Sequence, residues 1–211
     1  MTRLLLLLAA VLGNGPSATA YTTPATADTA GILRLMGRSG VAHACPVSAV
    51  LAYTNAHVVI DDEDKTDSRQ PYVWSAMDVT GLLRPVEADR YRDLAKVVPA
   101  DGAKFPRWYP VAKQEPKPGD RVVMIGFEFR NKKQAFAERV FAARVIRVVA
   151  GHLIYEPAGV PGTSGSCVLL EATGELVAIN KGAKGVGHAD ELVGVGVGAW
   201  GSLLQLGEEP Q

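Results

Sequence analysis

Beyond residue 30 the apolar positions fall into short runs broken by glycine, proline and charge. The stretches 31–37, 41–53, 72–83 and 94–98 are rich in Val, Leu, Ile and Tyr, and turn-forming or charged segments separate them, among them Asp61-Asp62-Glu63-Asp64-Lys65 and Val98-Pro99-Ala100-Asp101-Gly102. Runs of this length bounded by turn formers predict β-strands. No stretch keeps a helical apolar period between capping residues, so long helices are not expected.

Pro106, Pro110, Pro116 and Pro118 crowd residues 105–119 too closely for a regular strand or helix. This stretch is the predicted boundary, with 21–110 as lead-in and N-terminal β-unit and 111–211 as the C-terminal one. Strands are predicted again at 122–129, 135–149 and 153–155, and Arg130-Asn131-Lys132-Lys133 reads as a solvated hairpin tip rather than a polyanion site. Runs 168–170 and 176–180 read as a hairpin around Ala172-Thr173-Gly174, and 192–199 as a Gly/Val strand. Residues 201–206 read as a short C-terminal helix. The fold class is therefore all-β.

The first 20 residues follow a different pattern. Arg3 precedes an apolar run from Leu4 to Leu12, and Ala18-Thr19-Ala20 closes the segment. This is the layout of a secretory signal peptide cleaved near Ala20. The run is well short of the ~20 residues that span a bilayer, so no stable membrane anchor is expected. The mature protein is expected to be secreted or periplasmic, with residues 21–29 as a Thr/Ala/Pro-rich lead-in.

Composition narrows the function. The chain carries 22 basic and 22 acidic residues, so no net field recruits nucleic acid. The mature length suffices for one large core or two small packed β-units. Its two cysteines, Cys45 and Cys167, form no C-x-x-C motif, no H-x-x-x-H motif is present, and a zinc site is not expected. Residues 61–64 lack the spaced glycine and terminal glutamate of a calcium loop. No metal and no organic cofactor are expected.

Candidate chemistry centres on Pro161-Gly162-Thr163-Ser164-Gly165-Ser166-Cys167. A serine hydroxyl becomes a nucleophile when a base takes its proton and donors receive the developing oxyanion. Gly162 lets the loop turn so that the Gly162 and Ser164 N–H groups converge. Of the four histidines, His43, His57, His152 and His188, His57 stands out at the end of an apolar run, within Thr54-Asn55-Ala56-His57-Val58. Asp93 enters the next apolar run in Arg92-Asp93-Leu94-Ala95-Lys96-Val97. On the residues alone Asp61, Asp62, Asp78 and Asp89 compete with it as the acid that orients His57.

Taken in order, Thr-Asn-Ala-His-Val, Asp-Leu-Ala and Pro-Gly-Thr-Ser-Gly-Ser resemble the trypsin/chymotrypsin superfamily of serine proteases, in particular its bacterial Deg-type (high-temperature-requirement) and glutamyl-endopeptidase-like branches. Gly119-Asp120-Arg121-Val122-Val123-Met124-Ile125-Gly126 is also similar to the opening of the second barrel in Deg-type proteases. The order His, Asp, Ser is that family's order. The resemblance implies two packed antiparallel β-barrels (a chymotrypsin-like double barrel) with a short C-terminal helix. It implies peptide-bond hydrolysis by His57, Asp93 and Ser164, with a Gly162/Ser164 oxyanion hole, and a protein or peptide as substrate of a monomeric enzyme. It places the substrate pocket at Ala158, Gly159 and Val160, opposite a wall formed by Asn180, Lys181, Gly182 and Ala183, with residues 195–198 at its floor. It also brings Cys45 and Cys167 near one another, either as a disulfide or as two buried thiols.

Thr163, Ser166, Cys167 and Lys96 depart from the commonest residues of these motifs. Thr163 stands where digestive proteases carry an aspartate that pairs with a new N-terminus, so the loop around Ser164 is expected to order itself. No acid stands at the pocket positions, which favours a small or medium apolar substrate side chain, while Lys181 leaves room for an acidic one. Two alternatives remain: an α/β-hydrolase esterase, which would need glycine in place of Ser166, and a latent or non-catalytic protein of the same fold that binds peptide.

Overall fold

The computed structural model describes residues 28, 31–37, 40–60, 72–130, 135–158, 162–185 and 192–201. The predicted signal peptide, most of the lead-in, the acidic run 61–64, Asn131 to Lys133, Gly159, Val160 and residues 202–206 of the predicted C-terminal helix lie outside them.

Twelve strands and one helical turn account for the regular structure among the described residues. In the first half these are β1 (Leu33–Gly37), β2 (Gly40–Pro46), β3 (Ala52–Thr54), α1 (Ala56–Val59), β4 (Tyr72–Ala76), β5 (Val79–Asp89) and β6 (Leu94–Pro99). In the second they are β7 (Arg121–Arg130), β8 (Ala135–Val149), β9 (His152–Glu156), β10 (Cys167–Leu170), β11 (Leu176–Gly185) and β12 (Leu192–Gly198). Each half closes on itself as an antiparallel barrel, in the order β1-β2-β3-β6-β5-β4 and β10-β11-β12-β9-β8-β7. Closure removes the exposed edges that short strands would otherwise present. The fold is the chymotrypsin-like double barrel.

Two predicted runs are divided in the structure. The run 41–53 is two strands, because β2 ends at Pro46 and the Val47 N–H donates to the Leu51 carbonyl at 2.9 Å, closing a turn. The run 72–83 is a hairpin that reverses at Met77 and Asp78, with Met77 at φ 52°.

Alternation puts one face inside in β4 and β9, whereas β3, β10 and the first half of β11 are buried on both faces. In the first barrel Leu33, Leu35, Trp74, Leu83 and Phe105 pack together, with the Trp74 and Phe105 rings edge-to-face at 5.3 Å. The second barrel is filled around Val122, Met124, Leu153, Tyr155 and Trp200. A third core, including Cys45, Leu94, Tyr109, Leu169 and Ile179, lies between the barrels. Burial on this scale, at about 25 cal/mol per Å² of apolar surface, makes this shared core a rigid mount for groups on either side.

The proline-rich connection is fixed to both barrels. The Tyr109 N–H donates to the Pro46 carbonyl at 3.0 Å, and the Leu176 N–H donates to the Pro110 carbonyl at 2.8 Å. A disulfide between Cys45 on β2 and Cys167 on β10 joins the barrels directly, with the Cα atoms 5.4 Å apart.

Candidate active site

β3 ends inside the first barrel at Thr54, whose hydroxyl donates to the His43 carbonyl at 2.6 Å. Asn55 is extended (φ −79°, ψ 150°) and starts the single turn α1, which carries His57 toward solvent. The side chain of His57 is 45% exposed and that of Asp93 10%. Asp93 lies in the turn between β5 and β6, where Asp89 Oδ1 accepts the Arg92 N–H at 2.9 Å. Its backbone is left-handed, φ 59°, a conformation that persists when surrounding bonds hold it.

Those bonds converge on His57. Asp93 Oδ1 accepts the His57 backbone N–H at 3.0 Å, and His57 Nδ1 lies 3.0 Å from Oδ1 and 2.9 Å from Oδ2. The carboxylate thereby fixes both the ring and the turn that bears it. Lys181 Nζ, from β11 of the other barrel, stands 4.0 Å from Asp93 Oδ2. Lys96 bonds to Glu87 at 2.7 Å on the flank of the first barrel, so this departure from the Asp-Leu-Ala motif does not disturb the position of Asp93.

Ser164 lies in a loop gripped from both barrels. Gly162 and Gly165 adopt φ 92° and 77°. The His43 N–H donates to the Ser164 carbonyl at 2.9 Å. The Gly165 N–H is shared by Asn55 Oδ1 at 2.7 Å and the Asn180 carbonyl at 2.9 Å. From β11 the Asn180 N–H donates to the Ser166 carbonyl at 2.8 Å, and Asn180 Nδ2 donates to the carbonyl and hydroxyl oxygens of Thr163 at 2.9 and 3.1 Å. The buried Tyr155 hydroxyl donates to Asn180 Oδ1 and so fixes that amide. Among the described residues none of these bonds uses the Gly162 or Ser164 N–H.

This corrects the expectation that the loop orders itself. Buried backbone groups need partners: Asn55 accepts the Gly165 N–H, while His43 and Asn180 donate to the loop's carbonyls, all from outside the loop. The Asn180 amide serves Thr163 where the digestive proteases use a charged pair.

The imidazole of His43 is buried beneath the same loop. Burial pushes it down from 6.5 to about 4, with the Ser164 carbonyl opposing the shift and Arg34, its cross-strand neighbour on β1, adding to it. His43 is therefore neutral near pH 7. Burial pushes the Tyr155 hydroxyl up, so it remains a donor throughout the working range.

Among the residues predicted to line the pocket, Ala158 is half-buried after β9, while Lys181, Gly182 and Ala183 lie on β11. β10 stops pairing with β11 at Ile179, so among the described residues the segment from Gly182 to Gly185 pairs only with β12. The Lys181 ammonium reaches toward Asp93. A cavity of about 210 Å³ lies apart from this site, around Arg107, Trp108 and Leu170, and includes none of His57, Asp93 and Ser164. Among the described residues no three His, Cys, Asp or Glu side chains cluster as a metal site.

The sequence pointed to no role for Asn55 or Tyr155, and placed Asn180 only in the pocket wall, not under the Ser164 loop. Asn55 stood inside the Thr-Asn-Ala-His-Val motif, and its polar side chain beside an apolar run was the available signal.

Two closed antiparallel barrels with a His–Asp pair on one and a serine loop between them define a chymotrypsin-fold peptidase. A family model described as trypsin-like peptidase domain matches residues 39–179, and the chain belongs to this family of serine endopeptidases. No curated protein matches it in sequence. Solved structures match in fold. A Glu endopeptidase in complex with MPD superposes with TM-score 0.67 at 14% identity, over 84% of this chain and 88% of that one. A serine endoprotease from Yersinia pestis gives 0.61 at 16%, over 82% and 60%. The MamO protease domain from Magnetospirillum magneticum gives 0.61 at 20%, over 81% and 93%.

Proposed function

We propose that the protein is a secreted or periplasmic endopeptidase in which Ser164 is the nucleophile, His57 the general base and Asp93 the acid that orients it. The observation that carries this reading is the pairing of His57 Nδ1 with the Asp93 carboxylate at 2.9 Å, which leaves Nε2 as the ring's proton acceptor.

In this reading Ser164 Oγ adds to the peptide carbonyl while its proton passes to His57 Nε2. The Gly162 and Ser164 N–H groups receive the oxyanion, and Asp93 stabilises the imidazolium. Collapse breaks the C–N bond, and His57 returns the proton to the leaving amine. Water, deprotonated by the same imidazole, then releases the acyl group and restores Ser164. The rigid shared core contributes by holding groups from two barrels in a reactive arrangement.

An extended substrate would pair with β11 at Lys181, Gly182 and Ala183, whose side away from β12 has no partner strand among the described residues. The pocket of Ala158, Gly159 and Val160 would take a small or medium apolar side chain. The amino-terminal 20 residues support export through their signal-peptide pattern.

The test is labelling of the protein with a fluorophosphonate, followed by mass mapping. The expected adduct is on Ser164, and Ser164→Ala, His57→Ala and Asp93→Asn should each abolish most labelling and hydrolysis, with effects far from additive because the three act as a unit. A harmless Asp93→Asn beside an inactivating Asp62→Asn would move the acid's role to Asp62. Absence of an adduct on folded protein would replace this reading with that of a latent or peptide-binding relative.

A further inference from the structure

Asn55 is fully buried, and every polar atom of its side chain is committed to a loop of the site. Oδ1 accepts the N–H of Gly165, the residue after Ser164, at 2.7 Å. Nδ2 donates to the carbonyl of Asp93 at 3.1 Å. The chemistry fixes this orientation, since an N–H needs the oxygen and a carbonyl needs the nitrogen. Its own backbone leads into α1, two residues before His57. One side chain thus spans the loops of all three proposed catalytic residues.

Two further observations separate this from ordinary core packing. Asn55 is the N-cap of α1, where asparagine is favoured because its side chain bonds to the turn's own N–H groups. Here it makes no capping bond, and Asp93 Oδ1 takes the His57 N–H instead. Asp93 also gains from an external hold: aspartate tolerates the left-handed region better than most residues by bonding locally through its side chain, but here both carboxylate oxygens are turned to His57. The Asn55 amide grips the carbonyl of that same residue.

We propose that Asn55 is a positioning residue that sets Asp93 and Ser164 relative to His57. The inference rests on the peptidase reading above. It acts through its neighbours and touches no reacting atom.

The test compares the wild-type full chain with Asn55→Ala and Asn55→Asp. The second keeps the acceptor for Gly165 and the side-chain shape, loses the donor to Asp93, and serves if the first does not fold. Two readouts are taken on folded protein: the rate of fluorophosphonate adduct formation on Ser164, and the far-downfield proton resonance of the His57 Nδ1–H bonded to Asp93. Folded variants should label roughly 10- to 100-fold more slowly, and the resonance should broaden or disappear. A variant that only weakened the fold would keep the resonance below its unfolding transition. Wild-type labelling and an unchanged resonance in either folded variant would overturn the proposal. If the wild type itself forms no adduct on Ser164, the peptidase reading fails, and the resonance comparison alone still decides whether Asn55 holds the His57–Asp93 pair.

Discussion

A methyl group placed on Gly165 would lie 2.0 Å from the carbonyl oxygen of His43 and 2.6 Å from Thr54 Oγ1. The loop that bears Ser164 and the first barrel therefore approach as closely as backbone allows, at a residue with φ 77°. The contact is between barrels, and it holds the loop that bears Ser164 against the first barrel.

Gly165→Ala should cost about 3 kcal/mol or more, combining overpacking against backbone with the left-handed penalty. Gly174→Ala isolates the second term. It also has positive φ, 71°, but nothing lies within 4 Å of the new methyl, and it should cost only about 1 kcal/mol. Urea unfolding of both variants checks the difference, and equal losses would refute the close-approach argument.

The disulfide closes a separation of 122 residues between the barrels. Chain-entropy reasoning gives roughly 3–5 kcal/mol for a loop of this size. The double variant Cys45→Ser, Cys167→Ser should unfold at markedly lower urea. Below that transition it should still label on Ser164, since Asn55, His43 and Asn180 hold the loop without the sulfur atoms. Loss of labelling in folded protein would show that the crosslink itself shapes the loop.

His43 makes stability depend on pH in one direction. Its folded value, about 4, lies below the ordinary 6.5, so between these values the unfolded chain binds a proton that the native chain refuses. Stability is unaffected above pH 6.5, falls as pH drops from 6.5 to about 4, and has lost about 3 kcal/mol from this group at the lower end. His43→Gln should flatten this part of the stability profile. An unchanged slope across pH 6.5 to 4 would show that other groups set it.

Several parts of the molecule were legible in the residues themselves. Short apolar runs such as 94–98 and 192–199 became strands because turn formers bound them and a closed barrel buries most of their side chains. His57, Asp93 and Ser164 stood in three short motifs whose order carries meaning. The roles of Asn55 and Asn180 under the Ser164 loop did not stand out, because they depend on partners brought close only in the fold. The bond from Gly165 to Asn55 crosses 110 residues. The self-ordering loop failed as an expectation for the same reason.

Tyr155 is the far end of the support for the Ser164 loop, and its hydroxyl is the atom to remove. Tyr155→Phe leaves Asn180 Oδ1 buried without its donor, at a cost of about 1–3 kcal/mol. The same change frees the amide to turn away from Thr163, so labelling of Ser164 should slow by more than the small loss of folded protein explains. Full-rate labelling would confine Tyr155 to packing.

Lys181 separates two roles on one atom. Its ammonium sits 4.0 Å from Asp93 Oδ2, with 38% of the side chain exposed. A part-exposed pair of this kind contributes less than about 1 kcal/mol to stability, so Lys181→Met should barely move the urea midpoint. The informative measurement is hydrolysis of two peptides differing only in Glu or Ala before the cleaved bond. An ammonium held by Asp93 cannot also neutralise a substrate carboxylate, so both rates should change together and their ratio should shift by less than about threefold. A selective loss on the Glu peptide would mean that the side chain leaves Asp93 when substrate binds and reads the acid directly.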